Sequence, residues 1–85
     1  MNENQKRLGF VGIIIDDRDK CAGIVNDILS DHAGLILART GLPNAKGNTS
    51  IITLVIDAST DDLGVLTGKL GNIAGISVKS GLAKK

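Results

Sequence analysis

Aromatic side chains are almost missing from this 85-residue chain: Phe10 stands alone, with no Trp and no Tyr. Proteins that hold single-stranded nucleic acid rely on aromatic stacking platforms, so this scarcity argues against that class. Charge of one sign is also missing. Ten Lys and Arg balance nine Asp and Glu for a net +1, too little for a field that steers the protein to nucleic acid or an anionic membrane. Basic residues gather only near the ends, at Lys6-Arg7 and Lys84-Lys85, where they read as solvated termini. A single cysteine, Cys21, forbids an internal disulfide and fits a reducing compartment. The leading apolar run, Leu8 to Ile15, ends in Asp16-Asp17 and has no small-residue cleavage site. It is too short to span a membrane and does not read as a signal peptide, so a cytoplasmic protein is expected.

What is present is ordinary for a globular domain: 42% hydrophobic and 22% charged residues, which excludes disorder. A chain of this length makes one domain and buries about 60–65% of its unfolded surface. Its most informative feature is an internal echo. Residues 13–40, moved along by 41 positions, fall on residues 54–81. Ile15-Asp16 lands on Ile56-Asp57, Gly23 on Gly64, Leu29 on Leu70, and Ala33-Gly34 on Ala74-Gly75. Ile14 with Val55, Ile24 with Val65 and Leu37 with Val78 are like-for-like apolar pairs. Each copy reads as strand, acidic turn, amphipathic helix, Ala-Gly, second strand. Two copies are too few for a solenoid but describe two interleaved split βαβ units. The expected fold class is α+β, a ferredoxin-like βαββαβ sandwich with an antiparallel four-stranded sheet and two helices on one face.

Residues 8–15 read as the first strand, followed by an acidic turn in which an aspartate caps the next helix. Apolar residues at 21, 24, 25, 28 and 29, with His32, cover about 140° of that helix, and Gly34 is expected to end it. Leu35–Thr40 is the second strand. Gly41 to Asn48, with Pro43 and Gly47, reads as a loop or an extended hairpin. Ser50–Ile56 is the third strand. Ser59-Thr60-Asp61-Asp62 is close to a capping box, and Leu63, Leu66, Leu70 and Ile73 line the second helix, with Gly75 as its stop. Ile76–Lys79 alternates as an edge strand. The expected boundaries are a flexible tail over 1–7, one domain over 8–81 and a second tail over 82–85. The crossover rule puts the first and third strands in the middle of the sheet.

Two features go beyond fold. The first and third strands are apolar at nearly every position, so both faces of the sheet centre call for burial, while two helices cover only one. A large uncovered apolar patch is rare in soluble monomers, and a homo-oligomer, dimer or tetramer, joined through sheet faces or edges is expected. The second feature is a glycine stripe, Gly64, Gly68 and Gly71, in the second helix. Each glycine costs about 1 kcal/mol against alanine in a helix interior, which calls for a partner backbone or a ligand packed closely on that side.

Candidate chemistry is sparse. Cys21 and His32 share a helix face but stand about 16 Å apart along it, too far for one zinc ion. The acidic turns Asp16, Asp17, Asp19 and Asp57, Asp61, Asp62 would meet at one sheet edge if the first and third strands ran parallel, and would then offer oxygen ligands to a hard cation; helix caps explain them equally well. Gly68-Lys69 lacks the spacing of a phosphate loop and sits in a helix. No serine or cysteine has a visible base. No catalytic residue, metal ligand or cofactor is therefore expected. Gly64, Gly68, Gly71, Asp16, Asp17 and Asp62 remain as candidates for a ligand site or subunit interface.

The segments Arg39-Thr40-Gly41-Leu42-Pro43, Ser50–Val55, Leu63-Gly64-Val65-Leu66-Thr67-Gly68-Lys69-Leu70-Gly71-Asn72-Ile73 and Gly75–Ser80 resemble the regulators of the iron-only hydrogenase system, short proteins with an ACT-like ferredoxin fold. The Leu-Gly-x-Leu-x-Gly-Lys-Leu-Gly helix is the distinctive motif and contains the glycine stripe. The resemblance implies a small non-enzymatic regulator, an oligomeric ligand-sensing or protein-binding module whose partners are itself and a hydrogenase-system protein or small effector. The same fold group contains amino-acid-binding ACT domains and the nickel-responsive repressor. This chain has Asp17-Arg18-Asp19-Lys20 where the former carry Asp-x-Pro-Gly, and it lacks the histidines of the latter's metal site. A DNA-associated transcriptional regulator of that repressor class is the alternative, without its DNA-binding segment before Leu8. Neither nucleic acid nor membrane is expected as a direct partner.

Overall fold

The computed structural model describes residues 5–84. The first strand, β1 (Arg7–Ile15), pairs along its whole length with β3 (Thr49–Ala58) and on its other side with β4 (Ile76–Leu82). β2 (Ile36–Lys46) adds to the outside of β3, so the sheet order is β2-β3-β1-β4 with every neighbour antiparallel. Helices α1 (Arg18–Asp31) and α2 (Thr60–Gly71) make the two crossovers. The architecture is the expected α+β ferredoxin-like, ACT-like βαββαβ fold with the first and third strands central.

Strand alternation explains the core. Val11, Ile13 and Ile15 of β1 and Ile52, Leu54, Ile56 and Ala58 of β3 are buried, and they share one cluster with Cys21, Val25 and Leu29 of α1 and Leu66 and Leu70 of α2. Both helices therefore lie on the same face of the sheet. Ile24, included in the sequence-derived helix face, is 51% exposed. It stands about 100° around the helix from Val25, at the margin of the arc that meets the sheet.

Each helix is started by the residue its sequence calls for. The Asp17 carboxylate accepts from the Asp19 N–H at 3.1 Å. Ser59 Oγ accepts from the Asp62 N–H at 3.1 Å while Asp62 Oδ2 accepts from the Ser59 N–H at 3.4 Å, a complete capping box. The ends differ from expectation. α1 stops at Asp31, ahead of a short 3-10 turn over Ala33–Leu35 that contains Gly34. α2 stops at Gly71, and Gly75 instead sits in the turn before β4 with φ of 84°, where a side chain would be strained.

The Gly41–Asn48 segment resolves as the extended hairpin rather than a loop. β2 runs on to Lys46, turns through Gly47 (φ 62°) and Asn48, and pairs with Thr49. Pro43 is tolerated because β2 is an edge strand, where a missing N–H costs no ladder bond. β1 begins at Arg7 and β4 continues to Leu82, with the Ala83 N–H donating to Leu8 O at 2.7 Å. Residues 1–4 of the expected N-terminal tail and Lys85 lie outside the described residues. Among the described residues, no helix is long and apolar enough to cross a membrane.

Candidate functional site

The antiparallel pairing of β1 with β3 decides what the candidate residues can do together. Ile15 is opposite Ser50 and Arg7 is opposite Ala58, so the turn after β1 and the turn after β3 lie at opposite ends of the sheet. The premise that parallel central strands bring the two acidic turns to one edge is therefore corrected: Asp16 and Asp17 are separated from Asp62 by about the length of a nine-residue strand, roughly 30 Å. Asp17 and Asp62 are helix caps. Among the described residues, no group of three or more His, Cys, Asp or Glu is placed to hold a metal ion.

Asp16 and Asp17 do border a broad cleft of about 660 Å³, shared with Lys20, Asn72 and Gly75. It lies between the start of α1 and the α2–β4 loop, which are tied by the Asp16 N–H donating to Gly75 O at 2.9 Å. Cys21 is buried at the back of this region, its thiol 3.6 Å from Ala74 O, and acts as a small packed residue. His32 is at the far end of α1, its Nε2 3.1 Å from Nζ of Lys69, so the two helices meet through a polar contact at that end. Gly64, Gly68 and Gly71 run along an exposed side of α2, and a Cβ built on any of them would meet nothing within 4 Å. Within one subunit nothing packs closely on the stripe.

A second, smaller cavity of about 150 Å³ lies on the other side of α1, against the β2–β3 hairpin. Arg18, Ala22 and Asn26 face it from successive turns of α1, and Arg39, Gly41 and Ser50 from the two strands. Arg39 Nη2 donates to Asn26 Oδ1 at 3.1 Å. The hairpin turn is fastened to the start of α1 by the Arg18 N–H donating to Asn48 O at 3.3 Å. Sequence reasoning did not single out Arg18, Asn26 or Arg39. The i, i+4, i+8 spacing of Arg18, Ala22 and Asn26 is the signal that marked one helix face, polar at both ends and small in the middle.

The uncovered face of the sheet is apolar in two bands. One band crosses all four strands as Gly81, Phe10, Val55 and Ala38; the other as Ser77, Ile14, Ile51 and Leu42. Between them runs a more polar row of Lys79, Gly12, Thr53 and Thr40. Phe10 is 51% exposed, Val55 46%, Ile14 40% and Leu42 59%. The expected second apolar face is thus present, divided by a threonine–glycine strip. All buried side-chain N and O atoms among the described residues have hydrogen-bond partners, so the candidate surfaces are this face and the two clefts.

A four-stranded antiparallel sheet with both helices on one face and an acidic cap at the start of each gives the chain the ACT-like ferredoxin fold. The profile described as the TM1266-like iron-only hydrogenase system regulator matches residues 7–80, and the chain belongs to that family. It is a small regulatory protein linked to the iron-only hydrogenase system. The chain is similar to TM1266 from Thermotoga maritima, an uncharacterised protein of solved structure, with 39% identity and a TM-score of 0.88 over 94% of this chain and all of that one. It shares its fold with the ACT domain of a GTP pyrophosphokinase from Chlorobium tepidum, at 24% identity and a TM-score of 0.69 over 89% of this chain and 99% of that one. It also shares its fold with CPII from Thiomonas intermedia, a nitrogen regulatory PII-like protein whose structure holds ADP, AMP and bicarbonate; there the identity is 19% and the TM-score 0.52, over 92% of this chain and 91% of that one. No curated protein matches the chain.

Proposed function

We propose that this protein works in the cytoplasm as a homo-oligomer, a dimer or tetramer, that senses a small effector or docks a hydrogenase-system protein. The observation that carries this reading is the uncovered sheet face, with its bands of Phe10, Val55 and Ala38 and of Ile14, Ile51 and Leu42. Burying apolar area is worth about 25 cal/mol per Å², and an exposed patch of this kind is the usual mark of an interaction surface. The surface is nearly uncharged along both bands, so a second copy meets it without repulsion. Gly64, Gly68 and Gly71 on α2 and the Asp16–Asp17 cleft are the places on the helix side open to a partner or effector. Asp62 is committed to its capping box and stands about half a turn around α2 from the stripe, so the two do not form one surface.

Sedimentation velocity at micromolar concentration tests the assembly. The expected result is a mass of two or four 8.8 kDa chains. A stable single-chain species at that concentration overturns the reading.

A further inference from the structure

We propose that the cavity between α1 and the β2–β3 hairpin binds a small dianion, a dicarboxylate or a phosphate group, between Arg18 and Arg39. Two arginines, both exposed at its rim, are among its lining residues, and, among the described residues, no Asp or Glu is. Guanidinium groups present planar forks of N–H donors that match carboxylate and phosphate oxygens in pairs. Two such groups on one cavity without a counter-charge favour a doubly negative ligand over a single carboxylate.

The rest of the lining fits that role. Arg39 spends one donor on Asn26 Oδ1, which fixes the side chain and leaves most of its five N–H groups for a ligand. A side chain already held in place loses less entropy when it binds. Ser50 is 3% exposed, and its Oγ accepts from the Asn44 N–H at 3.1 Å, so its own proton remains to donate to an anion. The buried Ile15 and Ile52 form an apolar floor beside these groups, which shields the inner side of each charged contact from water. Ala22 and Gly41 keep the space open, and a Cβ on Gly41 would meet no atom within 4 Å. About 150 Å³ is the size of a cavity that takes a benzene-sized molecule, so the ligand is a compact acid and not a nucleotide. The site does not depend on the free N–H groups of α1, because that of Arg18 is already bonded to Asn48 O.

This assignment rests on the sensing role proposed above and gives its effector a chemical class. Isothermal titration and thermal shift with malonate, succinate and inorganic phosphate, with acetate as the single-charge control, test it on the wild type, Arg18→Gln and Arg39→Gln. At least one dianion binds the wild type in the millimolar range or tighter and raises its melting temperature, since ligands of the native state stabilise it. Each arginine substitution weakens binding about tenfold or more, and acetate binds far more weakly. Preference for malonate or succinate identifies a carboxylate effector, and preference for phosphate a phosphoryl one. Absence of binding by all three dianions, equal binding of acetate, or unchanged affinity in both variants overturns the site. Sedimentation of the same samples separates the two readings: a single subunit that binds a dianion removes only the assembly, and an oligomer that binds none removes only this site.

Discussion

The ring of Phe10 lies across Gly81, its neighbour on β4, so that a Cβ at position 81 would come within 2.9 Å of the ring's Cε1. One residue earlier and on the opposite face, Gly9 meets the same strand through backbone. A Cβ there would collide with the carbonyl oxygen of Gly81 and come within 2.7 Å of Leu82 Cδ2. The two glycines thus serve different ends: one admits an aromatic ring, the other a close approach of β1 and β4.

Gly9→Ala is expected to destabilise by about 2 kcal/mol or more, because the atom in its way is main chain and overpacking of that kind costs about 1–3 kcal/mol. Gly81→Ala is expected to cost less than about 1 kcal/mol, since the tip of the Phe10 ring can swing aside. Urea midpoints with unchanged slopes report both. A Gly9→Ala protein as stable as the wild type contradicts the close β1–β4 contact.

Gly64→Ala, Gly68→Ala and Gly71→Ala each add a methyl into open space within one subunit. Gly64→Ala and Gly68→Ala are each expected to stabilise the isolated subunit by about 1 kcal/mol through helix propensity, and Gly71→Ala, at the last residue of α2, by less. Gly68→Leu separates this from a packing role: it lowers the assembled mass if a partner backbone rests on the stripe. An unchanged mass with a raised melting temperature shows that the stripe faces solvent.

Ile14→Asp and Val55→Asp place a charge in each apolar band while leaving the helix-side core untouched. Both proteins are expected to keep the far-ultraviolet circular dichroism of the wild type and to sediment as single chains. Retention of the full assembled mass by both variants removes the sheet face as the interface.

Ser59→Ala removes one half of the capping box and is expected to cost about 1 kcal/mol, as is Asp17→Ala at the other helix. Chemical denaturation measures each. A cost of several kcal/mol at Asp17 alone indicates that its carboxylate does more in the cleft than cap α1.

Elements with strong period were legible before any coordinates. The repeat placed both helices and both central strands, and Ser59 with Asp62 announced its own cap. What could not be read was where tertiary contacts override local signals. Gly34 and Gly75 carry a helix-stop signature, yet the helices end three and four residues sooner, at Asp31 and Gly71. Pro43 reads as a breaker, yet it falls where the edge strand's ladder is already irregular, between Leu42 and Lys46. The apolar second face followed from the unbroken apolar runs of the first and third strands, but its division by Gly12 and Thr53 depends on register across β1 and β3. The Arg18–Arg39 cavity escaped because its members come from elements twenty residues apart, each unremarkable alone.

Because the two middle strands run in opposite senses, the molecule has two poles. The Asp17 pole gathers the hairpin turn, both clefts and the end of α2; the Ser59 pole holds the start of α2, the end of α1 with its 3-10 turn, and the starts of β1 and β2. Substitutions at the two poles share no neighbours and their effects should sum. Stability can therefore be raised at the Ser59 pole, as ballast, without touching the end that holds both clefts.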